Sequence, residues 1–169
     1  MSVFLKSQKS VGAVRALALI LLITSLISTF GCGKKIDALD AMNRFVESYG
    51  VGGVVFAPKI AEGERGYVDK DFFETLYGQD ESYVEDFAVL LLSGIREVGE
   101  CAFFKCYSAY DAMIVCDMCR MRIETLKNAS GSAGSKFLED AFIVRSGSFV
   151  VMCALSDNDM AKKLWDRII

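Results

Sequence analysis

The stretch AFIVRSGSFVVMCAL, residues 141–155, limits the fold more than any other part of the chain. Two runs rich in β-branched and aromatic residues flank Ser146-Gly147, the composition of a tight hairpin turn. Successive strand side chains alternate between faces, so Phe142, Val144, Phe149 and Val151 share one face and Ile143, Val150 and Met152 the other. Neither face is polar. A sheet built on this hairpin must be covered on both sides, by helices of the chain or by a partner. The two helices expected nearer the N-terminus are the favoured cover. A turn on Ser146-Gly147 predicts Arg145 opposite Ser148, Val144 opposite Phe149 and Phe142 opposite Val151.

The elements before and after this hairpin follow from periodicity. Leu39, Met42, Phe45, Val46 and Tyr49 recur at helical spacing over residues 36–49, with Asp37 and Asp40 near the start and Gly50 as a stop. A Gly-rich loop follows, with a short extended piece at 54–57. Asp69 is the expected N-cap of a short helix carrying Phe72, Phe73, Leu76 and Tyr77, ended by Gly78. Residues 84–92 form a strand, apolar on both faces after Phe87 and broken by Ser93-Gly94. Residues 98–106 pair with it antiparallel. The longest helix is expected over 107–127, burying Ala109, Ala112, Cys116, Cys119, Ile123 and Leu126. NASGSAGSK, residues 128–136, is expected as a loop. Ser156 would cap a last helix with Asp159 as its capping-box acid, and Met160, Ala161, Leu164, Trp165 and Ile168 would form its inner stripe. The second half thus repeats ββα. The expected class is α+β, a two-layer sandwich on an antiparallel sheet in ββαββα order, preceded by two helices.

Residues 1–31 are of another kind. Lys6, Lys9 and Arg15 precede an apolar or small run from Ala16 to Phe30, about 15 residues against the roughly 20 of a spanning helix. That is the pattern of a secretory signal, and Gly31-Cys32 follows it. The segment resembles a bacterial lipoprotein signal, in which a small residue precedes a Cys that is lipidated and becomes the new N-terminus. Thr29 and Phe30 depart from the Leu and small residue usual at those positions. Three outcomes stay open: lipidation at Cys32, an uncleaved anchor helix, or ordinary cleavage. The expected organisation is a signal segment at 1–31, a tether at 32–36 and one domain at 37–169. The first two outcomes place that domain at the membrane, on its extracytoplasmic face.

The chain of 169 residues carries 19 basic and 22 acidic side chains, net −3. Three of the basic residues and none of the acidic ones precede Cys32, so a mature chain would carry 16 against 22, net −6. No basic stripe for displacing counterions is visible, which argues against a nucleic-acid partner. The chain has no His, which removes the usual Ser-His-Asp and Cys-His systems and H-E-x-x-H zinc sites. No catalytic motif stands in their place, and no cofactor is implied.

Tyr77-Gly78 at a helix end, the strand Glu100-Cys101-Ala102-Phe103-Phe104-Lys105, Arg122 inside a long helix, and Gly147 at an apolar hairpin turn before a last helix occur in that order. This order resembles a family of small, functionally uncharacterised lipoproteins of Gram-positive bacteria built on one domain of unknown function. The extra cysteines and NASGSAGSK depart from its pattern. The resemblance implies membrane anchoring and no known activity, leaving an envelope protein or wall component as the expected partner. It singles out Glu100, Lys105 and Arg122 as polar residues of a ligand site or of structural ion pairs. Glu100 and Lys105 fall on opposite strand faces, which favours ion pairs.

Apart from Cys32, five cysteines remain. Cys116 and Cys119 form a C-x-x-C, a candidate redox pair or half a zinc site with Cys101 and Cys106. The pair lies mid-helix on the buried stripe, and Cys101 and Cys106 point to opposite faces, so small hydrophobes in a core are the better description. An odd number of thiols speaks against a disulfide scaffold. Acidic residues at 69–74 and 80–86 are read as helix caps and solvated faces. The enzymatic alternative would draw on those carboxylates or on Cys116/Cys119.

Overall fold

The computed structural model describes residues 36–92 and 99–168. The signal segment, Cys32, most of the tether and the Ser93-Gly94 break lie outside the described residues. Four helices and five strands follow in the order α1 Ala38–Tyr49, β1 Val54–Phe56, α2 Phe72–Tyr77, β2 Val84–Leu91, β3 Glu100–Cys106, α3 Ala109–Glu139, β4 Phe142–Ser146, β5 Phe149–Ala154 and α4 Asn158–Ile168. The class is α+β, with two helices ahead of a ββαββα series. The strands form one antiparallel sheet in the order β1-β2-β3-β5-β4. Among the described residues no helix is long and apolar enough to cross a membrane.

The doubly apolar strands dictate the layering. Phe87, Val89, Ala102, Phe104, Cys106, Val150 and Met152 face α2 and α3. Ala88, Leu90, Cys101, Phe103, Val151 and Cys153 face α1 and α4. The sheet thus has helices on both faces, three layers rather than two, and the two N-terminal helices do not share the second face as expected: α1 lies with α4 on one side and α2 with α3 on the other. Tyr49 and Phe45 of α1, Trp165 of α4, and Phe103 and Phe149 of the sheet stack in series, with neighbouring centroids 4.9–5.7 Å apart. The Tyr49 hydroxyl also accepts from Asp157 N at 2.9 Å, tying α1 to the start of α4.

A bulge on β2 reconciles its sequence with this arrangement. Val84 pairs with Cys106 and Asp86 with Lys105, so Glu85 is the extra residue. Val84 and Phe87 therefore share a face despite their odd spacing. Asp86 turns to the other face, where its carboxylate accepts from Ala38 N at the start of α1.

Several local expectations are corrected. The hairpin turn is Gly147-Ser148, not Ser146-Gly147, so Ser146 pairs with Phe149 and Val144 with Val151. Gly147 has φ 60°, and among the described residues no non-Gly residue has positive φ, the pattern of a II′ turn with Gly first. Each partner slips by two residues, so every side chain keeps its expected face. NASGSAGSK is not a loop, since α3 continues through it to Glu139. Leu138 beyond it is buried with Leu126 and Ala154, and that tertiary anchor outweighs weak local propensity. Ala109, expected inside, is exposed at the start of α3, and Val115 and Met118 are buried instead. Asp69 does not cap α2; its carboxylate accepts from Asp71 N in a turn just before the helix. Asp157 rather than Ser156 caps α4, accepting from Met160 N at 2.8 Å, and Met160 faces outward.

Trp165 joins both helices of its layer to the sheet and is 1 % exposed. Trp165→Ala should therefore lower stability by about 3–5 kcal/mol. Urea unfolding followed by circular dichroism measures this; a loss under 1 kcal/mol would contradict the packing described.

Candidate functional site

Glu100 is the one acidic side chain in the buried polar set of the described residues, at 1 % exposure. It opens β3 and points toward α2 and α3. The Tyr77 hydroxyl donates to its Oε1 at 3.0 Å. Arg122 donates to its Oε2 from Nε at 2.9 Å and from Nη2 at 2.7 Å. One carboxylate thus joins the C-terminal end of α2, the first residue of β3 and the middle of α3. A buried charge is costly unless paired and hydrogen-bonded, and this one is both. Among the described residues no buried side-chain N or O lacks a partner.

Arg122 also forms part of a surface pocket of about 400 Å³ lined by Thr75, Leu76, Tyr77, Gly78, Gln79, Met121, Arg122 and Thr125. Chemically its lining mixes hydroxyl, amide and guanidinium groups with the apolar Leu76 and Met121. Glu100 itself is screened from this space by its two partners. Its position suits it to hold Arg122 rather than to exchange protons with a ligand.

Lys105 belongs elsewhere. It lies on the α1/α4 side of β3 and pairs with the bulged Glu85 at 2.6 Å. Glu100 and Arg122 are therefore brought together, and Lys105 is not. Neither the Tyr77–Glu100 contact nor the Asp37–Lys59–Asp86 cluster was visible in the sequence, where the partners are separated by more than 20 residues. In that cluster Lys59 bonds Asp37 and lies 2.7 Å from Asp86. The Lys59 hydrogen bond holds the Asp37 carboxyl below its ordinary range. The acidic residues at 69–74 and 80–86 make turns and ion pairs rather than helix caps: Asp69 and Asp80 accept from backbone N–H groups in turns, and Glu85 and Asp86 pair with lysines, while Asp37 is the one that caps α1.

The described cysteines are all free and all buried. Cys116 and Cys119 face the sheet in the same layer as Cys106, and Cys101 and Cys153 lie on its other side. Among the described residues no group of three or more Cys, Asp or Glu has the arrangement of a metal site. Burial pushes the Cys106 thiol up to about 12 and raises Cys116, Cys119 and Cys153 as well. Thiolate is the reactive form, so this environment opposes nucleophilic or redox use of Cys116 and Cys119 in the closed fold. Burial, followed by the Glu100 charge, likewise raises the Tyr77 phenol well above 10.

Comparison of the chain with family models, curated proteins and solved structures finds no match.

Two outcomes follow from the site's electrostatics. Arg122→Ala should cost about 3–5 kcal/mol by stranding a buried carboxylate, whereas Glu100→Leu/Arg122→Met should recover most of that loss. Chemical denaturation of both variants tests this; equal losses would show that packing rather than charge governs the site. In reducing buffer the unfolding midpoint should be insensitive to the thiols below about pH 7.5, well under the ordinary thiol value of about 8.5, where both states keep their protons. Above it, unfolded thiols ionise while burial keeps Cys106, Cys116, Cys119 and Cys153 protonated in the native chain, and from pH 10 Tyr77 adds to the difference. The unfolded state then binds fewer protons, so stability falls as pH rises. A midpoint rising between pH 9 and 11 would contradict this.

Proposed function

We propose that the chain is a membrane-anchored extracytoplasmic lipoprotein, held by a lipid on Cys32, whose α+β domain is a binding or interaction module rather than an enzyme. The observation that carries this reading is the basic n-region, apolar run and Gly31-Cys32 in sequence. With Cys32 as the first residue, only Gly33, Lys34 and Lys35 precede Ile36, a reach of about 10 Å. The domain would then work close to the bilayer, with Lys34 and Lys35 each adding roughly 1 kcal/mol of attraction to anionic lipid.

Two structural features support the binding role. The sheet is covered on both faces, so recognition falls to the outer surface. There Tyr107, Tyr110 and Met113 are more than half exposed around the first turns of α3. The Arg122 pocket offers a separate recess of mixed polar and apolar lining. An envelope protein or wall component is the partner class this reading favours. The burial of Cys116 and Cys119 weighs against a thiol enzyme.

Mass spectrometry of the N-terminus of protein expressed in a lipoprotein-processing bacterium provides the test. The expected N-terminal peptide starts at diacylglyceryl-modified Cys32, and Cys32→Ser should abolish the modification. An intact Met1 or Ser2 would make the segment a permanent anchor instead. An unmodified N-terminus near Cys32 would make the protein secreted.

A further inference from the structure

We infer that Cys101 and Cys153 form a redox modification site that closes to an intrachain disulfide on reaction with a disulfide oxidant. The two residues are direct cross-strand partners on β3 and β5. Antiparallel partners have Cα atoms about 4.5–5.5 Å apart, inside the range of about 4.4–6.8 Å that a disulfide needs. Both side chains point into the layer covered by α1 and α4, and their sulfurs lie 3.1 Å apart. A disulfide bond is about 2.05 Å long, so closure moves the sulfurs together by about 1 Å and leaves the strands in register.

The pairing is also selective. Cys106, Cys116 and Cys119 lie on the other side of the sheet, and the sheet backbone separates them from this pair. The only tryptophan of the chain reports on the site, since Trp165 Nε1 donates to Cys101 Sγ at 3.3 Å.

The reaction is two successive exchanges. One cysteine, having lost its proton, attacks a sulfur of the oxidant; the oxidant's S–S bond breaks, a mixed disulfide forms and one thiol leaves. The second cysteine, likewise deprotonated, attacks the protein sulfur of that mixed disulfide, forming Cys101–Cys153 and releasing the second thiol. The protein loses two electrons and two protons, and the oxidant gains both. Both cysteines are fully buried in the folded chain. Trp165 of α4 contacts Cys101 directly, and Ala161 of α4 shares the cluster that buries both cysteines. Undocking of α4, during folding or by local opening, exposes the sulfurs without separating β3 from β5. The inference rests on this geometry and not on the lipid anchor, so the N-terminal experiment above neither supports nor removes it.

The test is to reduce the full chain in detergent, unfold it in urea, and refold it with mixed reduced and oxidised glutathione. Free thiols are then alkylated under denaturing conditions, and the chain is mapped by tandem mass spectrometry. The expected result is one linked peptide pair joining Cys101 to Cys153, with Cys106, Cys116 and Cys119 alkylated. Trp165 emission should fall on oxidation and recover with dithiothreitol, and Cys153→Ser should remove that response. Recovery of Cys101 and Cys153 both alkylated, or linked to other cysteines, would overturn the inference; because this readout uses the unaltered chain, it stands even where Cys153→Ser fails to fold.

Discussion

The pairing of β3 with β5 is the constraint on which the rest of the molecule depends. Cys101 to Phe104 and Val150 to Cys153 are 0 % exposed, on both faces of the sheet centre. Such strands cannot be left half-solvated, because each face alone would present a contiguous apolar surface to water. Helices must therefore lie above and below, and α1 and α4 on one side with α2 and α3 on the other meet that need. The flanking strands are less demanding. β1 is short and partly exposed, and the turn-proximal end of β4 carries exposed Arg145 and Ser146.

Glu100 is the polar exception at the edge of this centre. Its carboxylate draws Tyr77 and Arg122 from two different helices, so a slip of α2 or α3 would strand a charge in the core. An apolar trio could fill the same volume with equal or greater stability, so the ion pair is weak evidence for net stability; what it does is join the end of α2 and the middle of α3 to one carboxylate. Its two hydrogen bonds to Arg122 fix the one cationic side chain of that pocket's lining.

The cysteines divide along the same layers. On the α3 side, Cys106, Cys116 and Cys119 are packing groups whose thiols are kept protonated by burial. On the α4 side, Cys101 and Cys153 pack as small hydrophobes too, yet the antiparallel register places their sulfurs together. One residue type thus serves as filler on one face and as a poised dithiol on the other, a difference made by strand pairing alone.

Local periodicity was enough to read the α+β class, the two hairpins, the faces of β4 and β5, and the stop of α1 at Gly50, because each depends on residues close in the chain. The opposite orientation of Glu100 and Lys105 was legible for the same reason, as strand alternation is a local rule. Even the misplaced hairpin turn left the faces intact, since a partner shift of two preserves alternation. What the sequence could not supply was partnership across distance. The helical continuation of α3 depends on Leu138 finding Ala154, the carboxylate of Glu100 on Tyr77 and Arg122, and the Cys101–Cys153 contact on β5 entering the sheet beside β3. Each is a contact between residues 16 to 52 positions apart. Chain-local propensity carries no information about which distant surfaces meet; only the packing of two helical layers on one buried sheet decides that.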